Sequence, residues 1–122
     1  MHLSLEDGRE TNVSGSNLFT GTLDLLILRA LGSGPDHGYG IGAWIREVSG
    51  DVLSVEEGVL YPALHRLEGR GWLVSHWGKS ESNRRAKFYG LTAAGEKACA
   101  SETERWNEHT TAVARVLGTS RR

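Results

Sequence analysis

The chain has 122 residues, of which 39% are hydrophobic and 24% charged, and these proportions are ordinary for one globular domain. No run of about 18 apolar residues occurs, so we expect no membrane span. The N-terminus lacks the segments of a signal peptide, and the single cysteine excludes an internal disulfide, so we expect a cytoplasmic protein. The net charge is −1, but six of the 14 Lys and Arg residues lie between His65 and Lys87 against two acidic residues, so one locally basic face could meet a polyanion.

The first half of the chain predicts a polar arm followed by two helices. Residues 1–17 have little apolar content, and we expect them to form a flexible arm. A first helix is predicted from Phe19 or Thr20 to Leu31. It is apolar nearly all round and should be buried on more than one side. Gly and Pro residues at 32–35 end it, and a second helix is predicted over residues 38–48.

A third helix is predicted from about Gly58 to Glu68. Ser54 and Glu57 resemble a capping box, but a start near Gly58 is favoured because it places Pro62 in the first turn, where backbone donors have no partner. At 100° per residue the leucines of this helix form one face. The opposite face carries Gly58, Tyr61, Pro62, His65 and Gly69, with Arg66 at its flank.

Two strands and a long helix complete the prediction. The strands cover residues 72–77 and 87–91, and the polar hairpin loop between them covers residues 78–86. Thr92 then caps a final helix over about residues 93–117. Its apolar positions form a narrow seam of coiled-coil type, and an isolated helix of this kind needs a partner. The seam is Cys99, Trp106 and Val113, with Thr103, Thr110 and Leu117 four residues further on.

This order of elements is typical of a winged helix-turn-helix, a mainly α fold with a small β-hairpin, in which the third helix enters the major groove of DNA. Residues 18–92 would form the DNA-binding domain, residues 93–118 a dimerisation helix, and residues 119–122 a tail. The third helix alone could equally present an ordinary solvated face, and the basic loop alone a solvated hairpin. Their succession in the chain favours DNA binding. The candidate DNA contacts are Tyr39, Gly58, Val59, Tyr61, Pro62, His65, Arg66, Asn83, Arg84, Arg85 and Lys87.

Four segments resemble the signature blocks of PadR-type transcriptional regulators: residues 21–28, 37–41, 57–68 and 89–95. The resemblance covers about residues 18–117. It implies a homodimer, a pseudo-palindromic double-stranded operator and repression relieved by a small molecule. Two positions depart from the family pattern. Val59 stands where Ser or Thr is frequent, so that it could contact a thymine methyl instead of a phosphate, and Gly90 stands where a polar or basic residue is frequent.

The resemblance also implies that the final helix packs across the two-fold axis against the first helix of the partner. The candidate interface residues are Leu23, Ile27, Cys99, Trp106, Val113 and Leu117. Trp106 is either an interface aromatic or the wall of an effector pocket between subunits, where a small aromatic ligand could stack.

Three other functions are less favoured by the sequence. An enzyme is disfavoured because Cys99 and His109 would lie about 15 Å apart along one helix, too far for a nucleophile and its base, so no catalytic residue is predicted. A metal sensor is disfavoured because the five histidines form no ligand pairs, and we expect no metal or other cofactor. A winged helix that binds only proteins is the remaining alternative, since fold alone does not fix function.

Overall fold

The computed structural model describes residues 12–13 and 17–120 of the chain. A short 3-10 turn at Leu31–Ser33 follows the first helix. The helices are α1 (Asn17–Ala30), α2 (Gly38–Val48), α3 (Glu57–Gly69) and α4 (Ala93–Leu117); the strands are β1 (Asn12–Val13), β2 (Asp36–His37), β3 (Ser54–Val55), β4 (Leu73–Lys79) and β5 (Arg85–Leu91). The predicted bounds of α2 and α4 are confirmed, and so is the mainly helical fold with a small sheet.

The hairpin is part of a three-stranded antiparallel sheet with the order β2-β5-β4. Strands β4 and β5 pair along their whole length, from Leu73 opposite Leu91 to Lys79 opposite Arg85. The sequence prediction missed β2, which pairs Asp36 with Tyr89 and so joins the start of α2 to the hairpin. The hairpin strands are also longer than predicted, so that the connecting loop shrinks to the five residues 80–84.

Helix α1 lies at the centre of the molecule and packs against each of the other three helices. Its apolar residues meet one face of α2, one face of α3 and the start of α4. Each such side chain, when fully buried, contributes about 1.5–3 kcal/mol to stability. The core contains Leu23, Ile27, Leu28 and Leu31 of α1 and its turn, Ile41 and Ile45 of α2, Leu60, Ala63, Leu64 and Leu67 of α3, and Leu73, Tyr89 and Cys99.

The predicted flexible arm falls mostly on residues 1–11 and 14–16, which lie outside the described part of the chain. Within the predicted arm, Asn12 and Val13 pair in parallel with Ser54 and Val55, in the connection between α2 and α3. Helix α1 begins at Asn17, two residues before the earliest predicted start.

The position of Pro62 differs from the prediction. Because α3 begins at Glu57, Pro62 is its sixth residue and lies beyond the first turn. Proline has no amide hydrogen, so the Gly58 carbonyl loses the donor that an ordinary residue at 62 would supply. This carbonyl lies near the exposed start of the helix, where water can donate a hydrogen bond to it in place of the missing amide.

Helix α4 has two parts with different surroundings. The Thr92 side chain caps it by accepting a hydrogen bond from the Gly95 amide at 3.0 Å, and its hydroxyl donates to the Gly71 carbonyl at 2.6 Å. Gly95 and Cys99 are buried, but from Glu104 to Leu117 every residue except Thr110 is exposed. The second half of the helix therefore extends away from the core.

Candidate nucleic-acid interface

The turn between α2 and α3 sets the orientation of α3. His37 caps α2, since its Nδ1 accepts a hydrogen bond from the Gly40 amide at 3.0 Å. After α2 the chain reverses through Gly50 and Asp51, both with positive φ near 65°. Asp is among the few residues that tolerate this conformation. The reversal turns the apolar face of α3 onto α1 and its other face outward.

The outward face of α3 presents the residue types expected from the sequence. Gly58, Pro62 and His65 are exposed, and Tyr61 is 39% exposed. The Tyr61 ring packs on Gly38 of α2 so closely that a Cβ at position 38 would lie 2.6 Å from the ring hydroxyl. Burial and the neighbouring Glu57 carboxylate raise the pKa of Tyr61. The phenol therefore stays protonated at neutral pH and can donate a hydrogen bond to a phosphate or a base edge.

Two predicted contacts on α3 face the protein instead. Val59 is half-buried and packs against the hydrophobic core, so it is not a free apolar contact for a thymine methyl. Arg66 donates from Nη2 to the buried Asp24 carboxylate of α1, and its Nε is enclosed in the protein. Arg70 approaches the other oxygen of Asp24 at 3.8 Å. Arg66 thus holds α3 against α1, a role that the sequence did not predict.

The hairpin loop forms a compact, basic tip. Asn83 adopts a positive φ of 64°, and the Ser80 amide donates to the Arg84 carbonyl at 2.8 Å, which closes the turn. Asn83, Arg84 and Arg85 are exposed there, whereas Lys87 is half-buried with its ammonium 5.8 Å from the Tyr89 ring centroid. The guanidinium of Arg85 lies 4.2 Å from the centroid of the Trp77 ring.

A cleft of about 950 Å³ separates α3 from the hairpin and brings both predicted groups together. One wall is formed by His37, Gly38, Tyr39, Tyr61 and His65, and the other by Trp77, residues 80–82, residues 84–87 and Tyr89. Of the predicted DNA contacts, the cleft gathers Tyr39, Tyr61, His65, Arg84, Arg85 and Lys87. Gly58, Pro62 and Asn83 are exposed outside this lining.

His37 and Trp77 are among the lining residues that the sequence prediction did not name. The strand pattern held a signal for Trp77, because alternate residues of paired strands share a face. Trp77 lies opposite Lys87 in the register, and Arg85 is two residues away on the same face. Nothing in the local pattern marks His37, whose place at the cleft depends on the pairing of β2 with β5.

The predicted dimer residues divide into two groups. Leu23, Ile27 and Cys99 belong to the core of the protomer, with 2%, 0% and 8% of their surfaces exposed, so they are not available to a partner in this conformation. The prediction overlooked that α1 is already enclosed by the other helices of its own chain. Trp106, Val113 and Leu117 are exposed along the second half of α4, as is Val116.

Along residues 12–13 and 17–120 no helix is both long and apolar enough to cross a membrane. In the same part of the chain, no group of three or more His, Cys, Asp or Glu side chains could hold a metal ion.

A family model and solved structures of transcriptional regulators match this chain. The model of the family described as "Transcriptional regulator PadR-like family" matches residues 27–101. A transcriptional regulator from Clostridium thermocellum superposes with a TM-score of 0.73 at 30% identity, covering 82% of this chain and 97% of the other. A PadR family regulator from Clostridium difficile gives a TM-score of 0.68 at 28% identity, covering 78% of this chain and 97% of the other.

Among curated sequences, a transcriptional regulator of Mycobacterium tuberculosis is 43% identical over 58 residues, which is 47% of this chain and 53% of that protein. An uncharacterised protein of Lysinibacillus sphaericus is 26% identical over 93 residues, which is 76% of this chain and 85% of the other. The matched family segment begins in α1, contains the whole helix-turn-helix and hairpin, and ends in α4. The chain therefore belongs to the PadR-like family of transcriptional regulators.

Proposed function

We propose that the chain binds double-stranded operator DNA through the cleft between α3 and the hairpin. We call the hairpin (Leu73–Leu91) the wing. The observation that carries this proposal is that hydrogen-bonding rings and cations line the same cleft. The wall that includes α3 offers hydrogen-bonding rings at Tyr61 and His65, and the wing offers cations at Arg84, Arg85 and Lys87. Phenol and imidazole groups can donate hydrogen bonds to base edges, while guanidinium groups suit phosphates and narrow minor grooves.

A titration against the DNA upstream of its own gene, by mobility shift at two salt concentrations, tests this proposal. We expect binding that weakens with salt, because each phosphate contact releases counterions. Binding should survive excess non-specific competitor. If no sequence is bound, even in a selection from random duplexes, the alternative of a winged helix that binds only proteins is favoured.

Removing the wing arginines gives a sharper test. The double variant Arg84→Ala with Arg85→Ala should bind all sequences more weakly, and its log–log salt slope should flatten by about 0.9 for each lost phosphate contact. A matched control removes two exposed arginines of α4, Arg105 and Arg115, which leaves the net charge equal to that of the test variant. An unchanged slope in the wing variant, or an equal change in the control, would remove the wing from the DNA contacts.

We further propose that the protein acts as a homodimer in the cytoplasm and represses transcription by occupying a pseudo-palindromic operator. The exposed apolar residues of α4 support the dimer, since Val116 and Leu117 are 73% and 80% exposed in the protomer. Two α3 helices about 34 Å apart would enter successive major grooves on one side of the duplex.

We also propose that a small aromatic effector releases the repressor by stacking on Trp106. This ring is 42% exposed on α4, with its centroid 6.1 Å from that of His109. A planar ligand held between the two Trp106 rings of a dimer would alter the spacing of the recognition helices. In a Trp106→Ala variant that remains dimeric, such a ligand should lose its effect on DNA binding. An unchanged response would place the effector elsewhere.

A further inference from the structure

Trp77 occupies an unusual position in the wing. Its side chain is 57% exposed, although it belongs to a strand whose first residue, Leu73, is in the core. Its ring does not join that core and is instead covered by the guanidinium of Arg85, 4.2 Å from the ring centroid. At this distance a guanidinium plane interacts favourably with the electron-rich face of an indole.

The strand register makes this contact a built-in feature of the hairpin. Trp77 is paired with Lys87, and Arg85 is the diagonal neighbour two residues earlier on the same face of the sheet. Ser75 lies on this face too, and its hydroxyl donates to the Glu68 carboxylate of α3 at 2.6 Å. The face that carries Trp77 and Arg85 is therefore the face directed at the recognition helix.

The two arginines at the wing tip differ in this respect. Arg85 rests on a ring, whereas the side chain of Arg84 is exposed and forms no ion pair or ring contact with any residue the structure describes. A free arginine side chain samples many rotamers and must be ordered when it binds, while a stacked one is already restricted. DNA binding would therefore remove more side-chain conformational freedom from Arg84 than from Arg85.

From this difference we propose that Trp77 is a positioning residue, which holds the Arg85 guanidinium in place for a DNA phosphate beside α3 and makes Arg85 the dominant cation of the wing. This proposal rests on the proposed DNA-binding function. Trp77 acts through Arg85 in this arrangement and need not touch the DNA. Replacing Trp77 should weaken binding by about twofold to tenfold, the range expected when one rotamer-rich side chain must be ordered on binding instead of beforehand.

A double-mutant cycle on operator DNA separates this role from a direct contact. The single variants are Trp77→Leu, Trp77→Phe, Arg85→Gln and Arg84→Gln, and thermal unfolding is recorded for each. We expect Trp77→Leu to weaken binding in the native background and in the Arg84→Gln background, but to have no further effect in the Arg85→Gln background. Trp77→Phe, which keeps a ring under the guanidinium, should retain most of the affinity.

Two results would overturn the proposal. One is a Trp77→Leu effect of the same size with and without Arg85, which would mean that Trp77 contacts DNA itself or only stabilises the wing. The other is the absence of any effect of Trp77→Leu on binding.

A measurement on the free protein distinguishes failure of the stack from failure of the proposed function. The ring current of Trp77 should shift the Arg85 side-chain protons upfield in NMR spectra, and Trp77→Leu should abolish the shift. A shift in a protein that binds no duplex would overturn the DNA-binding function and the positioning role, while leaving the stack itself intact. Without the shift, Trp77 does not position Arg85, whatever the protein binds.

Discussion

Asp24 links the central helix α1 to the end of α3. The Asp24 residue is 8% exposed, and its carboxylate meets Arg66 in the last turn of α3 and Arg70 directly after the helix. A buried charge of this kind is tolerated only when paired. The pair joins residues 42 positions apart in the chain, and so fixes α3 to the central helix.

We expect Asp24→Asn to lower the free energy of unfolding by about 1–3 kcal/mol, because it leaves the enclosed side of Arg66 without its counter-charge. Urea denaturation measures the change. Glu102→Gln is the matched control, since it breaks an exposed pair with Arg105 in α4 and should change stability by less than about 1 kcal/mol. Equal effects of the two variants would contradict the structural role of Asp24.

Two glycines that look alike in the sequence should respond oppositely to alanine. A Cβ at Gly95 would overlap the backbone oxygen of Trp72, whereas a Cβ at Gly58 would meet nothing within 4 Å. We expect Gly95→Ala to be strongly destabilising, since the backbone itself must move, and Gly58→Ala to raise stability by about 0.5–1 kcal/mol through helix propensity. Thermal denaturation of both variants checks this contrast, and a stabilised Gly95→Ala protein would contradict it.

The ion pair of Arg66 shows where reasoning from local sequence ends. A helical wheel places Arg66 beside the outward face of α3, and only the tertiary fold reveals that its side chain reaches back to α1. The sequence did contain an indication of this ion pair, because Asp24 is an acidic residue in a helix that is otherwise apolar nearly all round. A charge in such a helix requires a partner, but the sequence does not say which of the many arginines supplies it.

At the scale of elements, the sequence predicted those with strong periodicity or clear end signals. Helices α2 and α4 begin and end as predicted, and Thr92 caps α4 as the sequence indicated. The two-residue strands β1, β2 and β3 were missed, because a pair of residues is too short to show alternation. They exist only through pairing with distant segments, as Asp36 does with Tyr89.

The same limit applies to the candidate site. The α3 face and the basic wing could each be found from the sequence, but not the cleft that joins them. The side of α3 on which Val59 lies was also misjudged, because the apolar face is wider than its leucines alone suggest. Propensity and periodicity describe an element by itself, whereas these features depend on how elements pack.

At the scale of the whole molecule, the exposed half of α4 should determine the oligomeric state. We expect Val113→Lys with Leu117→Lys to convert a dimer into a folded monomer, because both side chains are exposed and lie outside the protomer core. Sedimentation and thermal unfolding measure the two properties. The control is Thr111→Lys, which lies about 160° from Val113 around the helix and should leave the dimer intact. An unaltered dimer in the first variant would place the interface elsewhere.

The division of α4 into a packed half and an exposed half affects how operator occupancy would depend on the concentration of this protein. The core of each protomer is complete without the residues that follow Glu104, so separation of two subunits would not require unfolding. If only the pair occupies the operator, occupancy at low abundance rises with the square of the subunit concentration. Doubling the supply of the chain would then quadruple the active species, which gives a promoter a threshold response to gene dosage.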